Sequence, residues 1–348
     1  MRASWSDGGP HAGRRHAERP SGPAGEPEGL AAPATRSRAT RVFLPVAWEE
    51  LKRRWERDDR IFAYLLNIPS TVIILALVAY PVGYSFVLSL YRYNLKRPRQ
   101  VRFNWFNNYW DILTDPFFWT VMQVTVYFVF VSIALILVVG MTLALLLNEP
   151  FRGRALLRSM LLIPWAMPPV VNGLMWQGIL NGTYGVFNGV LFRLGLIDEY
   201  VGWLTHPLIA LNMTALAHVW NNVPFAGIIL LASLQAIPDE QYQAARVDGA
   251  GPVQRFWHVT LPWLLHPVLI ILIYQTMLAF RVFDLIYTLT GGGPAHGTHV
   301  LAWQTYMTAF GSYDFGHGNA YSYIITIVTM TLAVIYIRLL YRRGEIYA

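Results

Sequence analysis

Cysteine is missing from this 348-residue chain, and lysine occurs only as Lys52 and Lys96. The first absence excludes disulfides, thiolate nucleophiles, zinc thiolate sites and iron–sulfur clusters. The second excludes a P-loop, whose lysine follows a glycine to reach nucleotide phosphates, because neither lysine follows Gly. Charge is scarce as well: 14% of residues are charged and 55% hydrophobic, whereas a soluble globular domain carries ~25% charged residues. Gly-x-Ser-x-Gly and His-Glu-x-x-His are both absent, which removes two common hydrolase signatures. The net charge of +7 clusters beside long apolar runs, so it reads as membrane topology and not as a nucleic-acid surface.

What the chain has in abundance is apolar sequence without charge. No charged residue occurs in 61–91, 116–148, 159–192, 200–238, 256–280 or 315–337. About 20 apolar residues suffice for a helix to cross the hydrocarbon core, and open strands cannot cross it with unpaired backbone groups. Trimmed at turn-forming residues, these intervals predict spans at 61–88, 118–147, 157–179, 207–235, 263–289 and 320–340. The expected fold is an all-α polytopic membrane protein with six transmembrane helices over 61–342. Lys and Arg favour the cytoplasmic side. Thirteen of them flank the spans on the side shared by both termini and six lie on the other, so both termini are expected in the cytoplasm. The dissenting segment is the first outer loop, which holds Arg92, Lys96, Arg97, Arg99 and Arg102. Residues 1–41 lack apolar surface and are expected to form a disordered tail. Residues 42–60 read as an amphipathic cytoplasmic segment, either lying on the membrane or leading solvated into the first span. Residues 343–348 form a short C-terminal tail.

The most specific segment is the cytoplasmic loop 237–262. Its pattern predicts two short helices: Asp239 can cap the first, Glu240 suits its positive end, and Gly249 stops it. Pro252 can begin the second and Leu261-Pro262 end it at the membrane surface. With Tyr242 apolar and Ala244 and Ala245 small, the elbow presents a low knob suited to a groove on a partner.

These residues resemble the EAA loop of binding-protein-dependent ABC importer permeases, in which Glu-Ala-Ala is followed by Gly, an aliphatic residue and Leu-Pro. Here Gln243-Ala244-Ala245, Gly249, Val259 and Leu261-Pro262 stand at that spacing, with Gln243 in place of glutamate and Asp248-Gly249-Ala250 intact. Four further motifs look like the carbohydrate branch of that family. They are Arg152-Gly153-Arg154, the run from Leu162 to Pro169, Trp220 with Pro224-Phe225, and the stretch from Phe280 to Pro294. The resemblance implies a type I importer fold that moves a di- or oligosaccharide by alternating access. It implies a second, related permease, two copies of a cytosolic ATPase that uses ATP and Mg2+, and an extracytoplasmic sugar-binding protein. The chain itself would bind no cofactor and catalyse no reaction. Glu240, Gln243, Ala244, Ala245, Asp248, Gly249, Ala250 and Pro262 would form the ATPase-coupling loop.

Sugar-contacting positions implied by the same resemblance are Trp165 and Pro169, then His218, Asn221, Asn222 and Phe225, and finally Gln275, Leu278 and Ala279. On its own chemistry Trp165 fits equally a bilayer-facing or packing aromatic, and Asn221 and Asn222 fit interhelical hydrogen bonds. Arg281 and Asp284, three apart on a helix face, are expected to form a structural ion pair. His296 and His299 read as residues of a solvated loop, because two ligands do not make a metal site. Asn181-Gly182-Thr183 matches a glycosylation sequon by accident. An ion-coupled carrier is the rival reading. It is disfavoured because Asp284 is the only carboxylate inside an expected span.

Overall fold

The computed structural model describes residues 59–344. The expected tail at 1–41, all but the last two residues of the 42–60 segment, and 345–348 lie outside the described residues. Helix α1 (Asp59–Ile74) runs through a π-helical turn (Leu75–Ala79) into α2 (Tyr80–Ser89). A two-stranded antiparallel hairpin, β1 (Tyr91–Arg92) and β2 (Arg102–Phe103), leads to the short helix α3 (Asn107–Thr114). Helix α4 (Pro116–Asn148) is the longest unbroken span. Helices α5 (Arg154–Ala166), α6 (Pro169–Ile179) and α7 (Val186–Arg193) precede α8 (Pro207–Leu234). The elbow helix α9 (Asp239–Val247) and α10 (Pro252–Arg255) lead through a second π-helical turn (Phe256–Thr260) into α11 (Leu261–Phe280). Then come α12 (Asp284–Leu289), α13 (Leu301–Tyr306) and the final span α14 (Phe315–Gly344).

Five helices among the described residues are long and apolar enough to cross a membrane. They answer to the first, second, fourth, fifth and sixth expected spans. The third expected span, 157–179, is corrected: it is two helices of 13 and 11 residues, α5 and α6. Neither alone covers the ~30 Å hydrocarbon thickness. Pro168 and Pro169 cannot donate to the carbonyls four residues back, at Pro164 and Trp165. Pro168 also forces Met167 out of the helical region, to φ −79 and ψ 127. The fifth expected span, 263–289, is corrected in the same way, because the helix ends at Phe280 and restarts at Asp284.

Other prolines are absorbed without a break. Pro81 and Pro262 each deprive a carbonyl, at Leu77 and His258, that lies inside a π-helical turn, where the bond pattern shifts by one residue. Leu261-Pro262 therefore does not end the elbow's second helix. A single helical run continues from Pro252 to Phe280.

Lipid tails are as apolar as leucine, so helix association here rests on close packing and hydrogen bonds. Helices α4 and α8 pack along their length. A Cβ added at Gly140 would meet that of Ala226 at 3.1 Å, so glycine sets their approach. The apolar interior forms two clusters, one around Phe118, Phe128, Leu285 and Tyr321 and the other around Ile136, Leu230, Leu264 and Ile271. Buried Ser132, His218 and Gln275 fall between them along α4, α8 and α11.

Between α4 and α5, Arg158 Nη2 donates to the Leu147 carbonyl at 3.0 Å and Arg154 Nη1 to that of Asn148 at 3.4 Å. These arginines cap the negative carboxyl end of α4.

Candidate functional site

The two helix breaks face each other across one cavity of about 310 Å3. Trp165, Met167 and Pro169 line it from the α5–α6 break, joined by Asn172 of α6 and by His218, Asn221 and Asn222 of α8. Leu278 and the 281–285 segment close the opposite wall. Six of the nine expected pathway residues thus line the cavity: Trp165, Pro169, His218, Asn221, Asn222 and Leu278.

The remaining three do not. Phe225 instead stacks on Trp165, with centroids 6.1 Å apart and planes 25° from parallel, and packs against Tyr274 at 4.6 Å. Ala279 is in the apolar core. Gln275 is fully buried, with neither its amide nitrogen nor its oxygen paired.

Asn221 performs both of the roles open to it. Its amide donates to the carbonyl of Pro164 and to that of Met167 at 3.3 Å, the backbone groups exposed by the break. The Pro164 carbonyl also accepts from the Met167 N–H at 3.2 Å, so Asn221 adds a second donor there and supplies one to the Met167 carbonyl, in a medium poor in other partners. Asn222 donates to the His218 carbonyl of its own helix at 2.9 Å. Asn172 Nδ2 donates to the Ala217 carbonyl at 3.2 Å, while its Oδ1 and His218 Nε2 are buried without partners. A cavity wall holding both a buried acceptor and a free imidazole nitrogen fits a hydroxylated solute, which can satisfy both.

The expected Arg281–Asp284 ion pair is corrected. No such pair exists among the described residues. Arg281 is the residue at which α11 ends and Asp284 the one at which α12 begins, so they share no helix face. Both line the cavity. Met167, Asn172 and Phe283 were not foreseen there; the Pro168-Pro169 pair was the signal that exposed backbone and its neighbours would face inward.

Helix α9 ends in a Schellman arrangement: Gly249 has φ +79, its N–H reaches the Arg246 carbonyl at 3.0 Å, and the Ala250 N–H reaches that of Ala245 at 2.9 Å. Glu240, Gln243, Ala244, Asp248 and Gly249 are exposed, and Val247 is 88% exposed. Ala245, Asp248, Gly249 and Ala250 rim a shallow groove together with Gln254, Arg255, His258 and Val259. Pro262 lies behind it at the start of α11. Two details are corrected. Asp239 is the first residue of α9 and follows the cap position, held by Pro238. Tyr242 points inward, packing on the inner apolar cluster and bonding Thr260 Oγ1 at 3.0 Å, so it anchors the elbow and is no knob.

The loops at 181–183 and 290–300 are more ordered than expected. His299 is buried. Its Nδ1 lies 3.2 Å from that of His296, its Nε2 lies 2.7 Å from Gln304 Oε1, and its ring sits against Phe117. Burial holds its pKa below the ordinary imidazole value, with the bond to Gln304 opposing and His296 reinforcing the shift. No group of three or more metal-ligating residues occurs among the described residues. Asn181, of the sequon, folds its side chain onto the Thr183 N–H at 2.8 Å in a tight turn.

Helical spans broken around a polar cavity, with an exposed helical elbow at one end, define a membrane transport protein. The family of binding-protein-dependent transport system inner membrane components matches residues 136–343, and the chain belongs to it as an ABC transporter permease. It is 40% identical over 279 residues to the trehalose/maltose transport system permease protein MalF of Thermococcus litoralis, covering 79% of this chain and 92% of that protein. It is 35% identical to the sulfoquinovosyl glycerol transport system permease protein SmoG of Agrobacterium fabrum, covering 86% and 98%. The trehalose transport system permease protein SugA of Mycobacterium tuberculosis is 34% identical, covering 81% and 89%. Among solved structures, a bacterial ABC transporter involved in import of the acidic polysaccharide alginate shares the fold. Its TM-score is 0.70 at 20% identity, over 85% of this chain and 98% of that one.

Proposed function

We propose that the chain is one permease half of an importer that carries a di- or oligosaccharide, of trehalose or maltose type, across the cytoplasmic membrane. Both termini face the cytoplasm in this reading. A second, related permease completes the pathway, two cytosolic ATPases bind below, and an extracytoplasmic binding protein delivers the sugar. ATP and Mg2+ are consumed by the ATPases. This chain contributes helices and a cavity and no catalytic group.

The single observation that carries the reading is the cavity at the two helix breaks. A stacked Trp165–Phe225 pair offers an aromatic face to a sugar ring, and Asn172 and His218 hold unpaired polar atoms for its hydroxyls. The elbow supports the coupling half of the reading: closure of the ATPases moves α9, and the continuous run from Pro252 to Phe280 carries that movement to the cavity wall. Leu278 and Arg281 stand at the far end of that run.

The test is to purify the tagged chain from membranes, identify what accompanies it, and assay ATP hydrolysis with candidate sugars and their binding protein. Co-elution of an ATPase and a second permease, with hydrolysis raised by sugar-loaded binding protein, is the expected result. Elution of the chain alone, with uptake driven by an ion gradient, would replace the importer by an ion-coupled carrier.

A further inference from the structure

The hairpin between α2 and α4 carries a charge arrangement that the permease role leaves unused. Its register pairs Arg92 directly with Arg102, on the same face of the two strands. Like charges in that position repel. Arg97 and Arg99 extend the same charge around the turn, and all four arginines are exposed. No carboxylate neutralises them among the described residues. The acids nearby are already engaged: Asp111 and Asp314 flank His317 at 3.6 and 3.3 Å, and Asp115 caps α4 by accepting from the Phe117 N–H at 2.9 Å. Lys96 lies over the Tyr313 ring, 4.8 Å from its centroid.

The depth of this segment is fixed by its neighbours. One membrane-crossing helix ends at Ser89 and the next begins at Pro116, so 90–115 lies where lipid meets water. Beside the arginines, Trp105 is 67% and Trp110 68% exposed. Exposed tryptophan at that level is the usual marker of headgroup contact. Cations and aromatics exposed together at the interface match an anionic phospholipid, whose phosphate neutralises the bases while the rings enter the acyl boundary. An acidic protein surface would answer the arginines but would leave the tryptophans without an apolar partner.

We infer that the 91–110 segment is a binding site for the phosphate headgroup of an anionic phospholipid, seated across the Arg92–Arg102 pair. Either orientation of the chain leaves this surface against a phospholipid leaflet, so failure of the importer reading would not touch it.

The test compares the wild-type transporter, assembled with its partner subunits in detergent, with R92Q/R102Q. Thermal unfolding is followed with phosphatidylglycerol or phosphatidylcholine added. A ligand that binds only the folded state raises Tm. The expected result is that phosphatidylglycerol raises the wild-type Tm and phosphatidylcholine does not, while the variant gains nothing from either. Each base removed is expected to weaken headgroup binding by about fivefold, and the effect should fade at high salt. Without lipid, R92Q/R102Q should be at least as stable as wild type, since a repulsion has gone. R92K/R102K should keep the phosphatidylglycerol response. An equal response in wild type and R92Q/R102Q would overturn the assignment. So would a variant that keeps the lipid response but loses affinity for the extracytoplasmic binding protein, because the arginines would then serve a protein partner. Should R92Q/R102Q fail to assemble, R97Q/R99Q at the turn provides the same comparison.

Discussion

Helices α4 and α8 cross the bundle unbroken, whereas the α5–α6 and α11–α12 runs are interrupted, and both interruptions lie at the cavity. Proline alone does not make the difference. Pro224 sits inside intact α8 and Pro267 inside intact α11. Two adjacent prolines do, because Pro168 and Pro169 silence successive donors and the chain cannot rejoin its helix within one turn. At the other break, Arg281 and Asp284 bracket the residues between helices. The unbroken pair supplies a continuous wall, with His218, Asn221 and Asn222 of α8 turned to the cavity, and the broken runs supply the rest of its lining.

Removing a break is the most severe way to test that division. P168A/P169A restores two backbone donors and removes residues that each cost ~3 kcal/mol in a helix interior. The variant should be more stable to heat yet lose uptake by at least about a hundredfold, as the α5–α6 break closes. A stable variant with normal uptake would show that the break is incidental.

The elbow is the next largest. A β-branched residue in the left-handed conformation of Gly249 costs at least ~1–2 kcal/mol, and nothing lies within 4 Å of a Cβ there, so the strain is local. Gly249→Val should leave the chain inserted while sugar no longer stimulates ATP hydrolysis. Normal stimulation would remove the elbow from the coupling path.

Asn221→Leu removes the amide donor to the Met167 carbonyl and one of the two donors to that of Pro164, and should lower stability by ~1–3 kcal/mol, read as a lower Tm. An unchanged Tm would mean that water already satisfies the break.

The smallest effect is in the loop between α12 and α13. Because burial depresses the pKa of His299 in the folded protein, the unfolded chain binds the proton more readily. The contribution is whole above about pH 6.5, the ordinary imidazole value, and is lost as pH falls towards the lower folded value. Protection of 290–300 against hydrogen exchange, corrected for the intrinsic pH dependence of amide exchange, should therefore fall between pH 7 and pH 5, and His299→Asn should flatten that dependence.

Much of this was legible in the sequence, for physical reasons that also mark the limit. The spans were found because charge is excluded from lipid, and their ends agree with the helices to within a few residues except at the two breaks. The prolines at 168 and 169 read as a kink that a bundle tolerates, without showing that the helix stops there, and the break at 281–283 escaped because the fifth span was carried past Phe280, where the charge-free interval ends. Arg281 and Asp284 looked like one helix face because spacing was read as helical past the residue where α11 stops. Trp165, Asn221 and Leu278 line the cavity, whereas Gln275 and Ala279 are buried in the core. Resemblance located the stretch of helix, and only packing decides which side of it is lined by solvent. Tyr242 shows the same limit, since an aromatic residue on a short exposed helix can face either way.

The absence of cysteine makes one measurement unusually direct. Leu278→Cys introduces the only thiol in the chain, on the cavity wall, and its labelling by a water-soluble maleimide can be followed in the assembled transporter with and without sugar-loaded binding protein. Leu196→Cys, exposed in the segment after α7 and outside the spans, serves as the comparison. The account predicts that the thiol at 278 is labelled from water and protected by at least about tenfold when sugar is delivered, corresponding to ~1.4 kcal/mol of occupancy, with no protection at 196. Labelling at 278 that ignores the sugar would contradict the central claim that the helix breaks enclose the transport site.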